Sequence, residues 1–161
     1  MADNSRKPDG IYWRAENGSV RCLFDDCPAI CNMDCPIYLQ TLALESYGRN
    51  DVSEAVRLLT LAVQIEPTFG DAWNNLAMCY GTIGDDQKAL DFYKKAYDLR
   101  KKPTTLFGLI VASRNLKEYV TAMQYVKEYV DQYGMNEQIA SQFRKIMDAV
   151  KGEVEENGPV Q

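Results

Sequence analysis

A set of residues in this chain recurs with a spacing of 34. Leu39, Leu42, Ala43, Ala55, Leu59 and Ala62 form the first set, and Trp73, Leu76, Ala77, Ala89, Tyr93 and Ala96 stand 34 residues further on. Phe107, Ile110 and Val111 continue at the same offset, whereas Ala122, Val126 and Tyr129 follow at 33. A fixed period of this length points to stacked supersecondary units that share one continuous core. Within each set the apolar positions lie three and four apart, which places them on one face of a helix. Each period therefore encodes two amphipathic helices. The alanines occupy positions where two helix backbones approach closely, and Leu, Trp and Tyr fill the space between.

The punctuation agrees with helix pairs. "GRNDVSE" and "GTIGDDQK" separate the helices of the first two periods. Gly48 and Gly84 are expected to end a helix in the left-handed conformation, and Asp51 and Asp85 to cap the next one. Pro67 and Pro103 are expected to stop the second helix of each period.

These residues resemble the tetratricopeptide repeat (TPR) family, whose pattern runs W-x2-L-G-x2-Y, then A-x3-F, then P. The second period reads "WNNLAMCY", then "ALDFY", then Ala96, departing at Ala77, where Gly is usual, and at Pro103, two residues late. The first has Pro67 in register but Leu39 in place of Trp; the third has Arg114 in the Tyr position and no closing proline. The resemblance covers residues 36 to 134. It implies an all-α fold, a TPR-type helical-hairpin solenoid of about three repeats plus a capping helix. The expected divisions are 36–69, 70–103 and 104–135 for the repeats and 136–151 for the capping helix, with Asn136 as its cap. Residues 1–10 and the acidic tail 152–161 are expected to be disordered.

A small module precedes the repeats, at 11–35. "GIYWRAENGSVRCLF" alternates on both sides of Asn17-Gly18, a pair that favours a tight hairpin turn, so strands are expected near 11–15 and 20–24. Cys22, Cys27, Cys31 and Cys35 follow within fourteen residues; the only other cysteine is Cys79. Four thiolates suit tetrahedral zinc, and a module too small to bury much apolar area gains folding energy from a metal. A structural zinc clip is the first expectation for the four. An iron–sulfur cluster, disulfides and uncoupled reduced thiols remain alternatives. Cys79, inside a repeat helix, reads as a small packed residue.

Composition removes several function classes. Histidine is absent, so no Ser-His-Asp or Cys-His arrangement exists within the chain. No phosphate-binding glycine loop is present, and no catalytic residue is assigned. The net charge of −5 supplies no positive field for nucleic acid or anionic lipid. No apolar run approaches the roughly 20 residues of a membrane span. The N-terminus "MADNSRKPDG" carries no readable signal peptide, which gives the expectation of a cytoplasmic protein that is not an enzyme.

The family resemblance implies a concave groove lined mainly by the first helix of each repeat. The residues falling there are Gln40 and Leu44, then Asp71, Asn74, Asn75 and Met78, then Thr105, Gly108, Leu109 and Ala112. One TPR subgroup clamps acidic C-terminal peptides with Lys or Arg and Asn; here only Asn75 matches, and the basic positions carry Gln40, Thr105 and Leu109. The expected function is thus a protein–protein interaction adaptor for a peptide or partner helix of low net charge, with a homo-oligomer as a further option. The alternative is a metal- or redox-responsive protein in which the cysteine cluster is the working site.

Overall fold

The computed structural model of the chain describes residues 12–14, 20–22 and 35–157. The chain divides into two compact units, one ending at Lys101 and the other beginning at Lys102. In the first unit, strands β1 (Tyr12–Arg14) and β2 (Val20–Cys22) pair antiparallel, with Trp13 opposite Arg21. The Asn17-Gly18 turn expected between them lies outside the described residues, as do Cys27, Cys31, the first ten residues and 158–161.

Four helices follow in the first unit: α1 (Pro36–Gly48), α2 (Val52–Ile65), α3 (Gly70–Thr82) and α4 (Asp86–Leu99). Pro36 opens α1 from the first helical position, where its missing N–H costs no hydrogen bond. Cys35 stands just before it, fully buried, and its carbonyl accepts the Leu39 amide at 3.0 Å. Asp51 accepts the Glu54 amide at 3.0 Å and Asp85 accepts the Lys88 amide at 3.2 Å, so both caps form as the sequence indicates. Burial pairs with spacing: Ala43, Ala55, Ala62, Ala77, Ala89 and Ala96 are all buried, among Leu39, Leu58, Leu59 and Leu76. A methyl group at these positions lets helix backbones approach, and a larger side chain there would force overpacking worth about 1–3 kcal/mol.

The second unit holds α5 (Pro103–Asn115), α6 (Tyr119–Tyr133) and α7 (Glu137–Asn157). Leu106, Leu109, Ile110, Ala122, Ile139 and Ile146 form its buried centre. Asn136 accepts the Ile139 amide at 2.9 Å and so caps α7.

Three local expectations are corrected. Pro103 does not stop a helix but opens α5, for the reason that holds at Pro36. The left-handed residue after α1 is Asn50, with φ of 66°, while Gly48 remains helical. The tail is helical through Asn157 rather than coiled from 152. Lys117 lies 3.4 Å from Glu153 there, and Lys151 pairs with Glu155 one turn on at 3.8 Å, exposed contacts that each add little.

The turns inside the hairpins share one backbone solution. Asn50, Gly84 and Lys117 have φ of 66°, 84° and 63°, and they stand 34 and 33 residues apart. Among the described residues no helix is long and apolar enough to cross a membrane.

Candidate functional site

The sequence places its groove candidates on α1, α3 and α5. In the first unit the candidate face is built from α1 and α3. Gln40 and Leu44 lie one turn apart on α1; Asp71, Asn74, Asn75 and Met78 follow the same three-and-four spacing on α3. Leu44 is 42% exposed, and the others are half-buried. Tyr47 and Thr82 hydroxyls meet at 2.9 Å and tie the C-terminal turns of the two helices together. The Thr82 hydroxyl also donates to the Met78 carbonyl at 3.0 Å, which fixes its rotamer.

The chemistry of this face is neutral. Its single acid, Asp71, lies 3.7 Å from Arg100. None of Gln40, Leu44, Asn74, Asn75 and Met78 carries charge. Two adjacent amides supply donors and acceptors suited to an extended backbone. Leu44 and Met78 supply apolar surface, and Met adapts its shape to what it meets.

Thr105, Gly108, Leu109 and Ala112 stand differently. All four are buried, so they present no open surface. Spacing alone assigns a helix face, and it does not reveal that the face is covered.

Trp73 is the organising side chain of the second hairpin. Its ring centroid lies 5.3 Å from that of Phe92, which is itself 5.4 Å from Tyr80. The indole N–H donates to the Pro67 carbonyl at 2.8 Å. Cys79, also on α3, is buried, and that burial pushes its thiol up to about 11. A thiol held protonated is a poor nucleophile, which fits the packing role read from the sequence.

Of the four N-terminal cysteines, the ends of the run are located: Cys22 closes β2 and Cys35 precedes α1. No group of three or more metal-ligating side chains occurs among the described residues, and Cys27 and Cys31 are not among them.

A second concavity was not foreseen. An open groove of about 440 Å³ runs between α6 and α7, lined by Val120, Met123, Lys127, Ile146, Met147 and Val150 with Tyr119 and Gln124. The apolar stripe of "NEQIASQFRKIMDAV" is its trace in the sequence, but spacing alone does not say that the stripe is exposed.

Helix hairpins with alanine columns, a left-handed residue in each internal turn and an aromatic lock define a repeat protein of the α class. Residues 70–103 match the family model for the tetratricopeptide repeat. No curated protein matches the chain. Among solved structures, the first TPR of Spaghetti (RPAP3) bound to HSP90 peptide SRMEEVD is 16% identical, with a TM-score of 0.70 over 74% of this chain and 96% of that one. The Sgt2 TPR domain from Aspergillus fumigatus is 18% identical, with a TM-score of 0.68 over 78% of this chain and 85% of that one. The second TPR domain of human RPAP3, in complex with HSP70 peptide SGPTIEEVD, is 17% identical, with a TM-score of 0.66 over 70% of this chain and 94% of that one. The chain has the tetratricopeptide repeat fold, and its second hairpin is a repeat by sequence as well.

Proposed function

We propose that this chain is an interaction adaptor that holds an extended, low-charge peptide against α1 and α3. The observation that carries the reading is the uncharged, half-open face of Gln40, Leu44, Asn74, Asn75 and Met78. Similar domains take the acidic-ended peptides SRMEEVD and SGPTIEEVD. This face has no cation to meet such an end, because Arg100 already lies against Asp71. Specificity here comes from amide pairing to a peptide backbone and from apolar contact at Leu44 and Met78.

The test is a peptide-display selection followed by anisotropy titration of the enriched sequences. The expected binders have little net charge and an apolar residue, and Leu44→Asp and Asn75→Ala each weaken them about tenfold. SRMEEVD is expected to bind no tighter than about 1 mM. Tight binding of SRMEEVD, or binders indifferent to both substitutions, would overturn the reading.

The same reading gives Cys22, Cys27, Cys31 and Cys35 a structural role. The donor set is four sulfurs without histidine, which fits a closed tetrahedral zinc site. Elemental analysis of untagged protein should then find about one zinc per chain, with the four thiols protected until denaturation. Iron with a visible absorbance band would instead move the working site to the cysteines.

A further inference from the structure

In the second and third hairpins the face of the leading helix that carries Leu76 or Ile110 is buried. In the second hairpin α4 provides that cover, with Phe92 stacking on Trp73 and Tyr80. Burial extends the repeat into α7: Ala72, Leu106 and Ile139 are all fully buried, as are Cys79, Ser113 and Ile146. Those residues stand 34 and then 33 apart. In the same register Phe143 corresponds to Ile110 and Leu76, and Met147 to Arg114 and Tyr80. Yet Phe143 is 37% and Met147 47% exposed. Helix α7 is therefore a leading helix whose partner position is vacant among the described residues. The groove against α6 is the side of that position.

We infer that this position is filled by α7 of a second copy of the chain, in an antiparallel two-fold pair. The occupant needs an apolar stripe, and α7 carries one: Phe143, Met147, Val150 and Val154 recur at four, three and four residues. Val154, 63% exposed, continues the stripe beyond the groove itself. A helix that is both wall and ligand is self-complementary, as an isologous interface requires.

Charge complementarity supports the antiparallel pairing. Helices α6 and α7 run so that Tyr119 and Lys117 at the start of α6 meet Glu153 near the end of α7. Lys127, two turns further along α6, lines the groove with Ile146 and has no ionic partner among the described residues. An antiparallel copy centred on Val150 sets Val154, Glu155 and Glu156 of that copy beside Lys127. Glu156 also lacks an ionic partner among the described residues.

Sedimentation equilibrium of the full chain up to about 1 mM tests this. The wild-type chain is expected to form a dimer. Val120→Glu, at a site 76% exposed where folding is not at stake, should weaken it at least about tenfold. Lys127→Glu alone should weaken it about two- to fivefold, and adding Glu155→Lys with Glu156→Lys should restore it. A monomer at the highest concentration overturns the inference and leaves the position to a helix of another protein. A dimer untouched by Val120→Glu, or a charge swap that does not restore it, overturns it as well.

Discussion

The ammonium of Lys95 lies 3.7 Å from the centroid of the Trp73 ring. With Phe92 packed at 5.3 Å from the same ring, the indole is contacted by a cation and by an aromatic edge from one helix, α4. A cation over an indole face contributes about 0.5–1 kcal/mol at an exposed site. Lys95→Ala should therefore lower urea-unfolding stability by about that amount. Trp73→Leu, which also removes the indole donor from the Pro67 carbonyl, should cost about 3 kcal/mol. Equal effects from the two variants would rule out this division of labour.

The hairpin turns give a prediction of sign. Gly84 has open space around its missing Cβ, so a side chain there meets no clash, and the cost of Gly84→Ala comes from the φ of 84° alone. That substitution should destabilise by about 1 kcal/mol. Lys117 occupies the equivalent backbone with φ of 63°. Lys117→Gly should stabilise by about 0.5 kcal/mol, since its exposed pair with Glu153 contributes little. Thermal melts of the two variants should move in opposite directions, and a shift of the same sign would refute the account.

Ser113 is fully buried, and its hydroxyl has no hydrogen-bond partner. The residue 34 earlier is Cys79 and the one 33 later is Ile146, both packed without a polar demand. Ser113→Ala should raise stability by about 1 kcal/mol by removing an unsatisfied group. A loss of stability measured by denaturant titration would show that the hydroxyl contributes packing that outweighs its desolvation.

Cys79 links the core to alkaline pH. Burial lifts its thiol from 9.0 to about 11. The unfolded chain therefore releases the proton first, and stability present below about pH 9 is lost as pH rises toward 11. The full loss is roughly 2–3 kcal/mol from this group. Tyr93, raised to about 12 by burial and by the nearby Tyr47 and Cys79, adds a second decline that starts near its ordinary 10. Cys79→Ala should flatten the stability curve between pH 9 and 10 and leave the later decline in place. An unchanged slope in that window would contradict the assignment.

The helices were legible because their signals are local. The alanine columns, Asp51, Asp85 and Asn136 state where backbones approach and where helices begin, and each does so in the structure. Pro103 misled because one residue fits both the end of one helix and the first turn of the next; only the neighbouring geometry decides. Asn50 took the left-handed position in place of Gly48 because the turn is counted from the helix end, which glycine alone does not mark. The groove candidates on α5 differ for another reason. A face of Thr105, Gly108, Leu109 and Ala112 reads as open from spacing, but all four are buried, and spacing does not carry burial. The groove between α6 and α7 was likewise hidden, since an apolar stripe on a terminal helix looks like ordinary core until its exposure is known.

Glu153 lies 3.4 Å from the Lys117 ammonium and accepts from the Tyr119 hydroxyl at 3.4 Å. The end of α7 stays helical through Asn157, so Glu155 and Glu156 keep fixed places along it. Fixed charges act on an approaching molecule before any contact is made, through a field that has direction. Loose acidic residues would average that field away. Held as they are, they bias the orientation in which a partner arrives, turning cationic surfaces toward this end of the molecule and anionic ones aside, with a strength that fades as salt is added.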